Sequence, residues 1–302
     1  MIRMEDTSGG AVASAIAAER HRQGSPTTGM VLTLLILSDE EFQADATAAA
    51  VSAARQHPMR IITLIPRPGR GAPRLDADIM VGGDDGPGEV AVLRLRGELS
   101  EHGNSVAIPL LLADTPVVAY WPSDAPDAPS EDPIGKHAQR RITDAASSDD
   151  PFAALRERAS GYRPGDTDLT WTRLTPWRTV LAALFDQRVA PVRGVKVTAE
   201  QDNPSAHLLT TWLHMHLNVP VELITGSAPG ISRVSFDLSD GELAVERQSE
   251  AGHSLLIRPN APVSTVSVPR RHLDELLSEE LRRLDPDEEY GRVLRAFGSQ
   301  HG

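Results

Sequence analysis

The chain has 302 residues, a formal net charge of −12 and no cysteine. The acidic balance argues against a nucleic-acid partner, because phosphate backbones are met by basic surfaces. The lack of cysteine excludes disulfides, thiolate nucleophiles, iron–sulfur clusters, cysteine zinc sites and thiol-based redox sensing by this chain.

At 40% hydrophobic residues the chain buries a core, and its length suits two domains. The Ala-rich segment 11–18 follows Glu5 and Asp6 rather than a basic region, so it does not read as a secretory signal. The longest apolar run, 106–120, is broken by Asp114, Pro109 and Pro116, and is too short to span a bilayer. The expectation is a cytoplasmic protein that neither enters a membrane nor binds nucleic acid.

The first half alternates two patterns. Residues 1–28 read as a flexible start plus a helix. Residues 31–37 are a continuous apolar run ended by Ser38 and Asp39, which predicts a strand buried on both faces. An Ala-rich helix follows over 40–56. Residues 60–65 and 90–95 predict two further buried strands, 98–112 a helix bent at Pro109, and 117–121 another strand. Strands alternating with helices imply a Rossmann-like, mostly parallel sheet with helices on both faces. Residues 122–133 form an acidic, proline-rich loop, of the kind that is functional or mobile. Mixed helix signals resume over 134–160, with a short element over 140–144.

The second half is built differently. Thr175 and Pro176 predict a helix start, and Trp177, Leu181 and Leu184 then recur at helical spacing. A short strand over 195–198 and a helix over 205–217 precede strand-like runs at 219–223, 231–238, 243–247, 253–258 and 263–268. Asp240 and Gly241 signal a hairpin turn. Leu273, Leu276, Leu277, Leu281 and Leu284 form one helical stripe. Asp285, Pro286 and Glu288 predict the cap of a last helix. The domain expectation is an α/β domain over 1–165 and an α+β domain with an antiparallel-rich sheet over 166–302.

Candidate sites are few. The Gly-rich run 82–89 lacks the spacing of a dinucleotide or Walker loop, carries three acids and reads as a turn. Arg67, Arg70 and Arg74 follow the second strand, at the sheet edge where open α/β folds bind ligands. They read either as a site for a sugar phosphate or nucleotide, or as a solvated basic loop. His214 and His216 lie two apart on a helix and face different directions, so they do not share a metal. No Gly-x-Ser-x-Gly elbow exists. Asp166 and Asp168, beside Gly165, read as capping and turning residues. No catalytic residue, cofactor or metal is expected.

Chemistry concentrates in 165–178, which holds Trp171 and Trp177 of the four tryptophans together with Arg173 and Arg178. Trp and Arg are the types enriched where one protein grips another. Two readings stand side by side: core anchors, or a partner contact formed by Trp171, Arg173, Trp177 and Arg178. Arg140, Arg141 and Asp144 are a second polar cluster of the same character.

The run from Gly165 to Leu174 followed by Trp177 and Arg178 resembles the signature of the OpcA family of glucose-6-phosphate dehydrogenase assembly proteins, in its actinobacterial form. Arg140-Arg141-Ile142-Thr143-Asp144-Ala145 is similar to the same family, as are Leu281-Arg282-Arg283-Leu284-Asp285-Pro286-Asp287-Glu288 with Tyr290 and Gly291, and the strand segments from Val92 to Pro122. The resemblance implies a non-catalytic partner of glucose-6-phosphate dehydrogenase in the oxidative pentose phosphate pathway, where NADPH is made, acting as assembly factor or allosteric activator. It brings no catalytic residues.

Overall fold

The structure is a computed structural model that describes residues 1–23, 29–82, 88–186, 190–248 and 253–301. These residues form two compact units. One comprises Met1–Asp144, Arg163–Thr167 and His272–Pro286, the other Ala145–Tyr162, Asp168–Arg271 and Asp287–Gly302. Residues 163–167 therefore belong to the first unit, and the stretches on either side of them to the second.

The first unit is built on an eight-stranded sheet. Its elements are β1 (Ile2–Met4), α1 (Gly9–Gln23), β2 (Leu32–Leu37), α2 (Gln43–Ala53), β3 (Met59–Arg67), β4 (Arg74–Val81), β5 (Glu89–Arg96), α3 (Gly103–Ala107), β6 (Val117–Tyr120), β7 (Arg140–Thr143), β8 (Asp166–Asp168) and α8 (Leu273–Arg282). The strand order is β1-β4-β5-β3-β2-β6-β7-β8. The run β5-β3-β2-β6-β7 is parallel, β4 joins it antiparallel at β5, and β1 pairs antiparallel with β4. Parallel strands buried on both faces need apolar residues at successive positions. Accordingly Leu34, Leu35 and Ile36 of β2 are all buried, with Leu34 opposite Ile61 of β3 and Val118 of β6.

Three strands of this unit went unread in the sequence pattern, β1, β4 and β8, the last at Asp166–Asp168, which read as capping and turning residues. In β4, buried Leu75, Ala77, Ile79 and Val81 alternate with less buried residues including Asp76 and Asp78. The acids hide the strand from a search for apolar runs, yet they meet arginines of β5: Arg94 Nη1 donates to Asp78 at 2.6 Å and Arg96 Nε to Asp76 at 3.0 Å. The helix expected over 98–112 is broken into 3-10 turns at Gly97–His102 and Ile108–Leu110 around α3. Pro109 removes a backbone donor there. The leucine stripe forms α8, whose buried Leu276, Leu277 and Leu281 belong to this unit. Ser52 of α2 donates to Asp274 of α8 at 2.9 Å.

The second unit holds a six-stranded sheet of β9 (Val192–Ala199), β10 (Val221–Thr225), β11 (Ile231–Leu238), β12 (Gly241–Arg247), β13 (His253–Ile257) and β14 (Ser264–Ser267), in the order β10-β9-β11-β12-β13-β14. β10 and β9 pair parallel through the crossover helix α7 (Pro204–Leu217), and every other pair is antiparallel. Leu238 pairs with Gly241, so Ser239 and Asp240 make the expected hairpin turn. Helices α4 (Pro151–Gly161), α5 (Leu169–Thr172), α6 (Thr175–Leu184) and α9 (Glu288–His301) complete the unit. Trp171, Trp177, Leu208, Phe236, Val245 and Phe297 sit in one apolar core.

Two helix starts differ from expectation. α6 does begin at Thr175, with Pro176 in its first turn, but its cap position is Leu174 and no side chain caps it. The preceding α5 is capped instead, by Asp168. The last helix is capped by Asp287, whose Oδ1 accepts from Tyr290 N at 2.9 Å, and not by Asp285.

Gly165, in the first unit, has φ of +97°. A methyl group there would lie 2.5 Å from the Gln139 carbonyl oxygen and 2.9 Å from Arg141 Nη2. Gly165→Ala is expected to destabilise the protein by about 1–3 kcal/mol in denaturant unfolding; an unchanged midpoint would contradict this account of the turn.

Candidate functional site

The Trp/Arg stretch is positioned by two carboxylates. Asp168 is 0% exposed. Its Oδ1 accepts from Thr170 N at 2.9 Å and Thr170 Oγ1 at 2.6 Å, and its Oδ2 accepts from Ala145 N at 3.0 Å. These donors satisfy a buried charge and start α5. One helical turn puts Trp171 into the core of the second unit, 1% exposed, where its Nε1 donates to Asp287 Oδ2 at 2.9 Å. Asp287 thus caps α9 with one oxygen and holds the indole with the other. The Arg178 guanidinium stacks 3.8 Å from the Trp171 ring centroid, a cation–π arrangement.

Trp177 is 2% exposed and lies beneath Arg247, whose guanidinium is 5.1 Å from the ring centroid. Both tryptophans are therefore core anchors. Arg173 and Arg178 are half-buried.

Arg140, Arg141 and Asp144 lie in the first unit and are buried. Arg140 donates from Nε to Glu280 Oε2 at 3.0 Å and from Nη1 to the Asp285 carbonyl at 2.8 Å. Arg141 pairs with Asp166 and donates to the carbonyls of Ala138, at 2.7 Å, and Pro164, at 2.8 Å. These partners, not solvent, meet the two guanidinium charges. Arg140 ties β7 to α8, and Arg141 ties it to the turn before β8.

In the Arg67, Arg70 and Arg74 loop, Arg67 donates to Glu40 at 2.9 Å and Arg74 to Asp76 at 2.6 Å and Glu5 at 3.1 Å. Asp76 and then Glu5 raise the Arg74 pKa. Acids of the same unit thus already engage two of the three candidate phosphate ligands, and Arg70 is exposed. His214 Nδ1 lies 2.9 Å from the Val219 carbonyl and His216 pairs with Glu289 at 2.5 Å. Among the described residues no group of three or more potential metal ligands occurs. Residues 83–87 of the Gly-rich run lie outside the described residues.

One further cluster escaped the sequence pattern. A cavity of about 370 Å³ in the second unit is lined by Arg173, Arg247, Arg270 and Arg271, with Trp177 in its wall. Arg247 ends β12, and Arg270 and Arg271 lie in the connection after β14. Residues from β12, from that connection and from the start of α6 meet only in the folded chain. The adjacent pair Arg270 and Arg271 was the one available signal. Burial, then the neighbouring charge of Arg270, pushes the Arg247 pKa down to about 10.

Two family matches cover most of the chain. Residues 50–160 match the N-terminal domain, and residues 164–294 the C-terminal domain, of the family described as the glucose-6-phosphate dehydrogenase subunit. No curated protein matches. Among solved structures, a 3-ketoreductase from Actinomadura kijaniata is similar in fold, with a TM-score of 0.50 at 11% identity over 89% of this chain and 95% of that one. An aldose–aldose oxidoreductase from Caulobacter crescentus aligns with a TM-score of 0.49 at 10% identity, over 89% of this chain and 95% of that one. The first likeness bears on fold alone.

Trp171→Ala is expected to cost about 3–5 kcal/mol and Asp287→Ala about 1–3 kcal/mol. The double variant should cost less than the sum, because the two side chains share one hydrogen bond. Additive losses in denaturant unfolding would show that the two act independently.

In the same unit His207 of α7 packs 4.9 Å from the Phe152 ring and 6.4 Å from His301, centroid to centroid. Burial, then His301, lowers its pKa, and Asp202 opposes them. The unfolded chain takes up this proton at higher pH than the folded chain. Stability should therefore fall as pH drops through the ordinary histidine range and below. His207→Gln should flatten that acid-side slope in unfolding midpoints measured across pH, and an unchanged slope would place the proton uptake elsewhere.

Proposed function

We infer the role of this chain from its membership: it belongs to the OpcA family of glucose-6-phosphate dehydrogenase assembly proteins, and it assembles or activates that enzyme. The carrying observation is that the family's N-terminal and C-terminal domains match consecutive stretches, 50–160 and 164–294. The protein contributes no chemical step of its own on this reading. Its partner is glucose-6-phosphate dehydrogenase, and it works in the cytoplasm. Among the described residues no helix is long and apolar enough to cross a membrane.

Activation requires that the protein bind one state of the dehydrogenase better than another, since only differential affinity shifts an equilibrium. Buried Trp171, Trp177, Arg140, Arg141 and Asp144 serve this by holding the backbone in place. Of the predicted contact set, half-buried Arg173 and Arg178 are the residues we propose as the contact with the partner.

The test is the rate of the cognate dehydrogenase titrated with this protein, together with size-exclusion chromatography of the mixture. Saturable activation with co-elution is expected, with a coupling of about 5–150-fold in affinity between states. Arg173→Ala should weaken activation while leaving the unfolding midpoint near that of the parent. Separate elution with an unchanged rate would overturn the reading, and full activation by the Arg173 variant would remove that residue from the contact.

A further inference from the structure

In a chain of net charge −12, four arginines and, among the described residues, a single glutamate, Glu200, line one cavity. Two of the four have no carboxylate partner among the described residues. Arg247 donates from Nε to the Val268 carbonyl at 3.1 Å and from Nη1 to the Ile231 carbonyl at 2.9 Å. Arg270 donates from Nη2 to the Pro229 carbonyl, and its buried Nε has no hydrogen-bond partner among the described residues. This contrasts with Arg60, Arg140 and Arg141, buried arginines that pair with Glu89, Glu280 and Asp166.

These two guanidinium groups converge on one glycine. Gly230 has φ of +62°. A Cβ built on it would lie 3.6 Å from Arg270 Nη2 and 3.8 Å from Arg247 Nη1. Like charges brought together in a partly desolvated site are costly until an anion joins them. The start of α7 adds to the same polarity: Asn203, its cap, with Pro204 and Ser205 lines the cavity, and a helix N-terminus carries partial positive charge. Glu200, the one acid in the wall among the described residues, accepts a hydrogen bond from Asn203 at 2.9 Å.

We propose that this cavity binds the phosphate group of a small phosphate monoester, with Arg247 and Arg270 as its principal ligands and Arg173 and Arg271 beside them. Guanidinium forks match the peripheral oxygens of a phosphate. A cavity of about 370 Å³ is of the size that takes a small metabolite. It lies in the second unit, away from the Arg67, Arg70 and Arg74 loop in sequence and in unit. The inference rests on charge and geometry alone and holds whether or not the chain activates a dehydrogenase.

Isothermal titration calorimetry on the purified full chain, at fixed ionic strength and with no dehydrogenase present, tests it. The probes are inorganic phosphate, glucose 6-phosphate, unphosphorylated glucose and a short poly-glutamate peptide. Saturable heats are expected with glucose 6-phosphate, weaker ones with inorganic phosphate, and none with glucose. Arg270→Gln should weaken glucose 6-phosphate binding at least about tenfold with an unfolding midpoint close to that of the parent. If that variant does not fold, Arg173→Gln takes its place with the same expectation. Absence of saturable binding by both phosphates overturns the proposal, as does equal binding by the folded cavity variant. Loss of binding in Arg70→Gln with retention in Arg270→Gln overturns it in favour of the loop. Saturation by poly-glutamate alone overturns it in favour of an acidic protein segment.

Discussion

The second unit turns on the carboxylate of Asp287. One oxygen caps α9 and the other accepts from the Trp171 indole, 116 residues earlier in sequence. The bond does what burial alone does not. An indole packs against many apolar surfaces, but its N–H needs an acceptor in one place. Asp287 thereby sets the register of α9 against α5, and Tyr290, one turn on, comes to lie 6.0 Å from the Trp171 ring, centroid to centroid. Asp168 plays the corresponding part at the other end of α5, where its buried charge is met by the backbone of Ala145 and by Thr170.

The first unit shows the same rule applied to arginine. Arg140, Arg141 and Arg60 are buried, and each has a carboxylate partner in its own unit. Breaking one side of such a pair leaves an uncompensated charge in low dielectric, which costs far more than the pair itself contributes. These residues join segments remote in sequence: Arg140 reaches Glu280, so that α8 belongs to the unit formed by the first 144 residues. Against this pattern Arg247 and Arg270 stand apart, because among the described residues they meet carbonyl oxygens but no acid.

The family assignment and the fold likeness bear on different questions. Matches over 50–160 and 164–294 identify the family and, through it, the dehydrogenase as partner. The likeness to a 3-ketoreductase at 11% identity identifies an architecture, a parallel-rich sheet combined with an antiparallel-rich one. An architecture of this kind hosts many functions, and what a given chain does is settled by the groups placed upon it.

Much of the architecture was legible in the sequence because its cause is local. Strands buried on both faces must be apolar at successive positions, so β2, β3, β5 and β6 stood out as runs. The leucine stripe of α8 and the Asp240-Gly241 hairpin were equally plain. The amphipathic β4 was hidden because its acids look like a loop until arginines of β5 are set opposite them. The family was legible too, from the run between Gly165 and Arg178. What only the tertiary structure decided was exposure and charge partnership. Whether Trp171 faces solvent or Asp287, whether Arg140 is open or closed by Glu280, and that Arg173, Arg247 and Arg270 line one cavity all depend on contacts between residues far apart in the chain. Side-chain type sets what a residue needs, and only the fold determines what meets that need.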